Sequence, residues 1–398
     1  MSVPPLHGIS VLELATVIAG PYAGALLRGL GAEVVKIEPP GEGDAIRKWT
    51  SPRGPAVFNQ MNAGKQSVAV NLSSEQGPGL IRKLLPSFDV LIHNMRPGRM
   101  EQLGLSGGEC LAINPSLIYL SLSGFGGIGP AGSRPGYDGI GQAFAGLLGL
   151  LTAPGERPQV GPALADLTAG LVCAAGVLTG LFSRERTGQG LVVETSLIEA
   201  VVALIADQFT HYQATGQAQD SERRSRLSQI FSLRTADDRF VIVHISTSEK
   251  FYRSLLAAMG REDLLDDERF QRYEQRVDCF DELQAEFEST ARQRPLAEWE
   301  ELLSTADVPH SPVMTIGEVL DHPQMRALNL FSNVEPHSGI RMPAVPWRFD
   351  SERPTGIERA PILGEHTRSV LGRIVSSDEL DEFSNRGVIE ISDDTYDT

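Results

Sequence analysis

The first forty residues admit few folds, because a strand, a helix and a second strand follow one another with almost nothing between them. Ile9–Leu14 alternates apolar and polar positions like a strand, and a turn follows at Ala19-Gly-Pro21. Tyr22–Leu30 has helical composition and stops at Gly31; Ala32–Glu38 is a second strand, ended by Pro39-Pro40. Such a unit closes as a right-handed βαβ crossover and implies a parallel sheet. Its loop carries Ala-Gly-Pro in place of G-x-G-x-x-G, which argues against a dinucleotide cofactor. The pattern recurs: Ser67–Leu72 reads as a strand, and Ser73-Ser-Glu-Gln76 opens a helix with capping-box spacing. Asp89–Asn94 and Leu117–Leu122 read as further strands. The last two run into the loops Asn94–Gly98 and Ser123–Gly129, at the sheet edge where open α/β folds bind ligands. Arg96 and Lys65 are candidate phosphate contacts there, with solvated surface charge as the plain alternative.

One carboxylate stands out further on. Gly161–Gly170 places Asp166 among small and apolar residues, just ahead of Leu167–Phe182, a run apolar nearly all round that suggests a buried helix. Ser183-Arg-Glu-Arg-Thr-Gly188 supplies the cations and glycine of a helix C-terminus. Asp166 therefore sits at or near a helix N-terminus. It is either the cap of that helix, or a catalytic carboxylate kept ionised by the positive helix end and shielded from water.

At 398 residues the chain exceeds one simple core, and two domains are expected. Residues 1–212 form the first part of a large Rossmann-like domain and 213–228 a polar linker carrying Arg223, Arg224 and Arg226. Residues 229–325 form a small α+β domain, and 326–398 return to the large one. The acidic end from Ser392 reads as disordered. A formal net charge of −16 disfavours a nucleic-acid partner. Cys110, Cys173 and Cys279 have no metal-ligand spacing, so no metal is expected, and sparse unpaired cysteines fit a reducing compartment. With no signal-peptide pattern and no uninterrupted apolar span, the expectation is a cytoplasmic protein without a membrane partner.

Taken in order, these stretches resemble the family III CoA-transferases, the group that includes formyl-CoA transferase and the carnitine and bile-acid CoA-transferases. The resemblance rests on Leu6–Leu14, Ala19-Gly-Pro-Tyr22, Leu30–Asp44, Asn62–Lys65 and Asn94–Gly98. It continues through Gly124–Pro130, Arg134–Asp138, Ala165-Asp166, Thr187–Gly190 and Leu363–Thr367, and so spans nearly the whole chain in family order. It implies an interlaced homodimer. It also implies that Asp166 is the nucleophile that attacks an acyl-CoA thioester and forms an aspartyl anhydride. Coenzyme A enters as substrate, a free carboxylic acid accepts it, and no tightly bound cofactor is implied. Val17, Ile18, Asn94, Met95, Arg96 and Tyr137 match positions lining the CoA and acyl site, and Trp49 matches a substrate-pocket tryptophan, a core aromatic being the plainer reading.

Three departures from the family pattern matter. Pro39 and Gln102 stand where relatives often carry CoA-binding arginines, so the phosphate contacts are redistributed. Ile18 replaces a glutamine that contacts the small acid in formyl-CoA transferase. The glycine-rich loop that closes over that enzyme's site is missing from the small domain, which argues against formyl or oxalyl specificity. The resemblance leaves the two acids open, a small dicarboxylate with succinyl-CoA as donor being a pairing common among relatives. The rival is a 2-methylacyl-CoA racemase of the same fold, which would need a histidine where this chain has Tyr137.

Overall fold

The computed structural model describes residues 3–52, 55–153, 155–217, 222–333, 340–354 and 358–392. The chain divides into two compact units. The first comprises Met1–Leu148, Gln159–Thr210 and Arg326–Thr398; the second comprises Gly149–Pro158 and His211–Met325.

The first unit is built on β1 (Ser10–Leu14), β2 (Glu33–Glu38), β3 (Gln66–Val70), β4 (Val90–His93), β5 (Ile118–Ser123) and β6 (Leu191–Ser196). They lie side by side in the order β3-β2-β1-β4-β5-β6, all parallel. The short strand Ile389–Glu390 pairs antiparallel with β3 and carries the C-terminal segment back to this sheet. β4 is buried throughout, and β1 and β2 nearly so, as expected of strands covered on both faces. The core between sheet and helices holds Leu12, Leu14, Val35, Ile37, Leu80, Ile81, Leu91 and Leu117. The crossover helix α1 (Ala19–Gly29) joins β1 to β2, α2 (Asp138–Phe144) follows β5, and α3 (Leu164–Thr187) precedes β6.

α3 differs from the all-round buried helix expected from its composition. Ala165, Ala169, Cys173, Ala174, Val177 and Leu181 are buried, whereas Leu171 and Phe182 face outward at 42% and 65% exposure. Among the described residues it is the helix long and apolar enough to cross a membrane, yet half of its most apolar window is buried within the protein. Gly170 makes its crossing with α1 possible: a Cβ there would stand 2.7 Å from the Tyr22 ring and 2.9 Å from the Ala19 carbonyl oxygen.

The second unit holds the antiparallel strands Ile230–Arg234, Phe240–His244 and His310–Pro312 with helices around a core of Phe231, Tyr252, Phe287 and Trp299. Part of the polar stretch expected as a linker over 213–228 is helical among the described residues. It contains the helix Arg223–Leu227, where Arg226 bonds Glu222 one turn back and Asp281 across the unit. Most of the acidic end expected to be disordered, 393–398, lies outside the described residues.

Candidate active site

β1 is flanked by β2 on one side and β4 on the other, so the connections leaving β1 and β4 diverge and open a crevice between them. A cleft of about 190 Å³ occupies this place. Thr16–Ala19 line it from the end of β1, Asn94–Pro97 from the end of β4, Ser123 and Gly124 from β5, and Arg134–Tyr137 from the segment before α2. Asp166 reaches it from α3. Six sequence-derived candidates, Val17, Ile18, Asn94, Met95, Arg96 and Tyr137, thus meet Asp166 in one cleft.

Each wall has a local cause. The Asn94 carboxamide pins the β1 loop twice, accepting from the Thr16 N–H at 3.0 Å and donating to the Thr16 carbonyl at 2.7 Å. The next residue, Val17, sits at φ +72°, a region a β-branched side chain rarely enters, and its N–H is held by the Asp44 carboxylate. α1 then starts with no side-chain cap, and the N–H groups of Ala19 and Gly20 have no acceptor among the described residues. The positive end of α1 is therefore open at the cleft wall. On the far side Gly124 and Gly136 touch backbone to backbone; a Cβ on Gly124 would lie 2.8 Å from the Gly136 Cα.

Asp166 is the third residue of α3 and does not cap it. The cap position belongs to Ala163, whose side chain bonds nothing, and the N–H groups of Ala165 and Asp166 donate instead to Asp138 Oδ1 at 2.8 and 3.1 Å. No hydrogen bond or ion pair reaches the Asp166 carboxylate among the described residues. In the catalytic reading of the sequence, the positive helix end keeps this group ionised. Burial instead pushes its pKa up to about 7, and the Asp138 charge adds to the effect.

Two sequence-derived candidates lie elsewhere. Lys65 is buried, and its ammonium donates to Glu13 at 2.7 Å, to the Pro21 carbonyl at 2.9 Å and to Asn62 at 3.1 Å. Its three donors are spent inside the protein, which removes the phosphate contact expected of it. Trp49 follows the short turn Ala45–Lys48 and is 50% exposed in this chain, outside the cleft lining. Conversely, Arg134 lines the cleft with its guanidinium 4.9 Å from the centre of the Phe125 ring, and Asp138 serves the helix of Asp166. Both stand in the Arg-Pro-Gly-Tyr-Asp stretch that carried the resemblance, but no local spacing separates their roles from those of neighbouring surface charges.

A parallel α/β sheet with an unpaired, partly buried carboxylate at its switch point defines an enzyme architecture suited to nucleophilic chemistry. The sequence model of CoA-transferase family III matches residues 6–367. Succinyl-CoA--D-citramalate CoA-transferase of Chloroflexus aurantiacus is 33% identical over 95% of this chain and 96% of its own. A probable fatty acyl-CoA transferase of Mycobacterium tuberculosis, Rv3272, is 35% identical over 93% and 98%. The crystal structure of a CAIB/BAIF family protein from Brucella suis superposes with a TM-score of 0.83 at 31% identity, covering 94% of this chain and all of that one. The chain belongs to CoA-transferase family III. It is a CoA-transferase, and coenzyme A thioesters are its substrates.

Proposed function

We propose that this enzyme moves coenzyme A from an acyl-CoA thioester to a free carboxylic acid through covalent intermediates on Asp166. The observation that carries the reading is the Asp166 carboxylate: partly buried, without a hydrogen bond or ion pair among the described residues, and lining a cleft that the first residue of α1, Ala19, also lines. An Asp166 oxygen attacks the thioester carbonyl carbon, the C–S bond breaks, and CoA leaves as thiolate, giving an aspartyl-acyl anhydride. The thiolate attacks the aspartyl carbonyl, releases the donor acid as carboxylate and leaves an aspartyl-CoA thioester. The acceptor carboxylate attacks that thioester, forming a new anhydride and freeing the thiolate. The thiolate takes the acceptor acyl group and regenerates Asp166. One thioester replaces another, so the sequence needs no external energy source.

The residues lining the cleft suit the steps. The N–H groups of Ala19 and Gly20 provide donors for the oxyanion that develops at each attack. Val17, Ile18 and Met95 shield the anhydride from water, while Asn94, Arg96 and Tyr137 contact the CoA arm. The donor and acceptor read best as succinyl-CoA and a small dicarboxylate, by likeness to the D-citramalate enzyme. A second copy of the chain covers the outward apolar positions Leu171, Phe182, Val202 and Leu204 in an interlaced homodimer.

Intact-protein mass spectrometry after brief incubation with succinyl-CoA tests the reading. The wild type gains a succinyl or CoA mass on the peptide holding Asp166. Asp166→Ala gains none, and its transfer falls well beyond tenfold, about 1.4 kcal/mol of barrier. Transfer by Asp166→Ala within tenfold of wild type would refute the covalent role.

A further inference from the structure

We infer that Asp138 is a positioning residue for this reaction: from a separate helix it takes over the cap of α3, which leaves the Asp166 carboxylate free to face the thioester. The inference rests on the covalent role of Asp166 proposed above.

An acidic residue in the first turn of a helix ordinarily serves the unpaired N–H groups of its own helix end. Here those groups are already taken. Asp138 Oδ1 accepts from both Ala165 and Asp166, across 27 and 28 residues of chain, and Ala163 at the cap position offers no acceptor of its own. The other oxygen, Oδ2, accepts from Gln142 Nε2 at 2.7 Å, one turn along α2. That same nitrogen donates to the Pro162 carbonyl at 3.1 Å, immediately ahead of the cap position. Gln142 is fully buried, and its Oε1 has no partner among the described residues. Turning the amide over would bring an oxygen against two acceptors, so Nε2 must face Asp138. With donors on both oxygens, Asp138 is held as an acceptor.

The arrangement has an electrostatic consequence. Other ionisable groups lie on the elements around Asp166: Arg96 beyond β4, Arg134 and Tyr137 before α2, and Tyr22 on α1. Tyr119 lies on β5, Glu194 on β6, and Glu199 on the helix Leu197–Leu204, where it accepts from Ser196. After burial, Asp138 is the charge that raises the proton affinity of Asp166. A more basic carboxylate is the stronger nucleophile once ionised. Asp138 thus both frees the nucleophile and sharpens it.

The test follows the rate of acyl-enzyme formation against pH by rapid quench and mass spectrometry in wild type, Asp138→Asn and Gln142→Leu. In wild type the rate rises through the pH at which Asp166 ionises. Asp138→Asn keeps an acceptor oxygen but loses the charge, so its rising limb moves acidward by about one pH unit. Its plateau falls by about tenfold or more. Gln142→Leu keeps the charge but loosens Asp138, so its plateau falls while its limb stays in place. That split separates positioning from a general loss of fold. A limb and plateau like wild type in Asp138→Asn overturn the inference and leave the covalent reading standing. If Asp138→Asn does not fold, an unchanged plateau in Gln142→Leu overturns it. A wild type that never acylates on Asp166 removes the covalent reading, and this inference with it.

Discussion

The main-chain N–H of Val17 donates to both carboxylate oxygens of Asp44, each at 3.1 Å, from a backbone twisted to φ +72°. A β-branched residue in that region carries a penalty on the order of 1–3 kcal/mol and persists where the surroundings over-determine it. Here the surroundings are ionic. Asp44 is fully buried and bonds Lys36 at 2.9 Å; Lys36 bonds Glu13 at 3.1 Å, and Glu13 also receives Lys65. Buried charge clusters of this kind often add little net stability compared with apolar packing. What this one secures is the shape of the loop that lines the cleft and leads into the open end of α1.

Removing one member of the cluster strands the others. Asp44→Ala leaves Lys36 short of a counter-ion and Val17 without its acceptor, and the expected loss is about 3–5 kcal/mol of folding stability. Asp44→Asn, which keeps an acceptor for Val17, should lose less. Urea unfolding midpoints measure both. A loss below about 1 kcal/mol for Asp44→Ala would show that the clamp does not hold the loop.

The pKa of Asp166 makes a pH prediction whose sign is opposite to that of a salt-bridged carboxylate. Its folded pKa of about 7 lies above the ordinary value of 3.8, so between those pH values the folded state binds a proton that the unfolded state has released. Stability therefore declines as pH rises from about 4 toward 7, because ionising Asp166 in its partly buried site is unfavourable. Asp166→Asn has no such charge to bury. It should be more stable than wild type at pH 8, with the difference shrinking toward pH 5, as read by chemical denaturation at both pH values. Equal midpoints at pH 8 would place the raised pKa in doubt.

Legibility of the site in the sequence followed the range of the interaction. The strands of the parallel sheet announce themselves through local alternation and turn residues, and the cleft at the ends of β1 and β4 follows from their connections. The cap of α3 does not: its acceptor, Asp138, lies 27 residues from Ala165 and on another helix. Lys65 reads in the sequence as a phosphate contact or a solvated charge, because only the tertiary fold brings Glu13 to it. α3 misled for a related reason. When both faces of a helix are apolar, periodicity cannot say which one the same chain covers, and Leu171 and Phe182 are left outward.

Lys65 can be separated experimentally from the residues proposed to contact CoA. Burial drags its pKa down to about 8 despite the opposing pull of Glu13, which marks a cation held in the interior. Lys65→Met should lower the unfolding free energy by several kcal/mol, since among the described residues Glu13 then keeps only Lys36 as an ion-pair partner. CoA affinity of the folded fraction should stay within about twofold, under ~0.5 kcal/mol. Isothermal titration with CoA reads this directly. A tenfold weaker affinity with unchanged stability would return Lys65 to the binding site.

Tyr137 separates CoA transfer from racemisation, the other chemistry that an aspartate could support on this fold. It lines the cleft beside Asp166, is 70% exposed, and immediately precedes Asp138. A racemase needs a group here that takes and returns an α-proton, and a phenol suits that role less well than the imidazole a racemase would use. None of the residues lining the cleft is a histidine. Tyr137 can donate a hydrogen bond to the thioester or pack against the CoA arm, so Tyr137→Phe should slow transfer by about tenfold or less, because the proposed covalent steps use Asp166 and not Tyr137. In deuterated water the wild type, given a chiral 2-methylacyl-CoA, should incorporate no deuterium at the α-carbon while still exchanging CoA with a free acid. Rapid α-deuteration without any CoA exchange would assign the cleft to proton transfer instead.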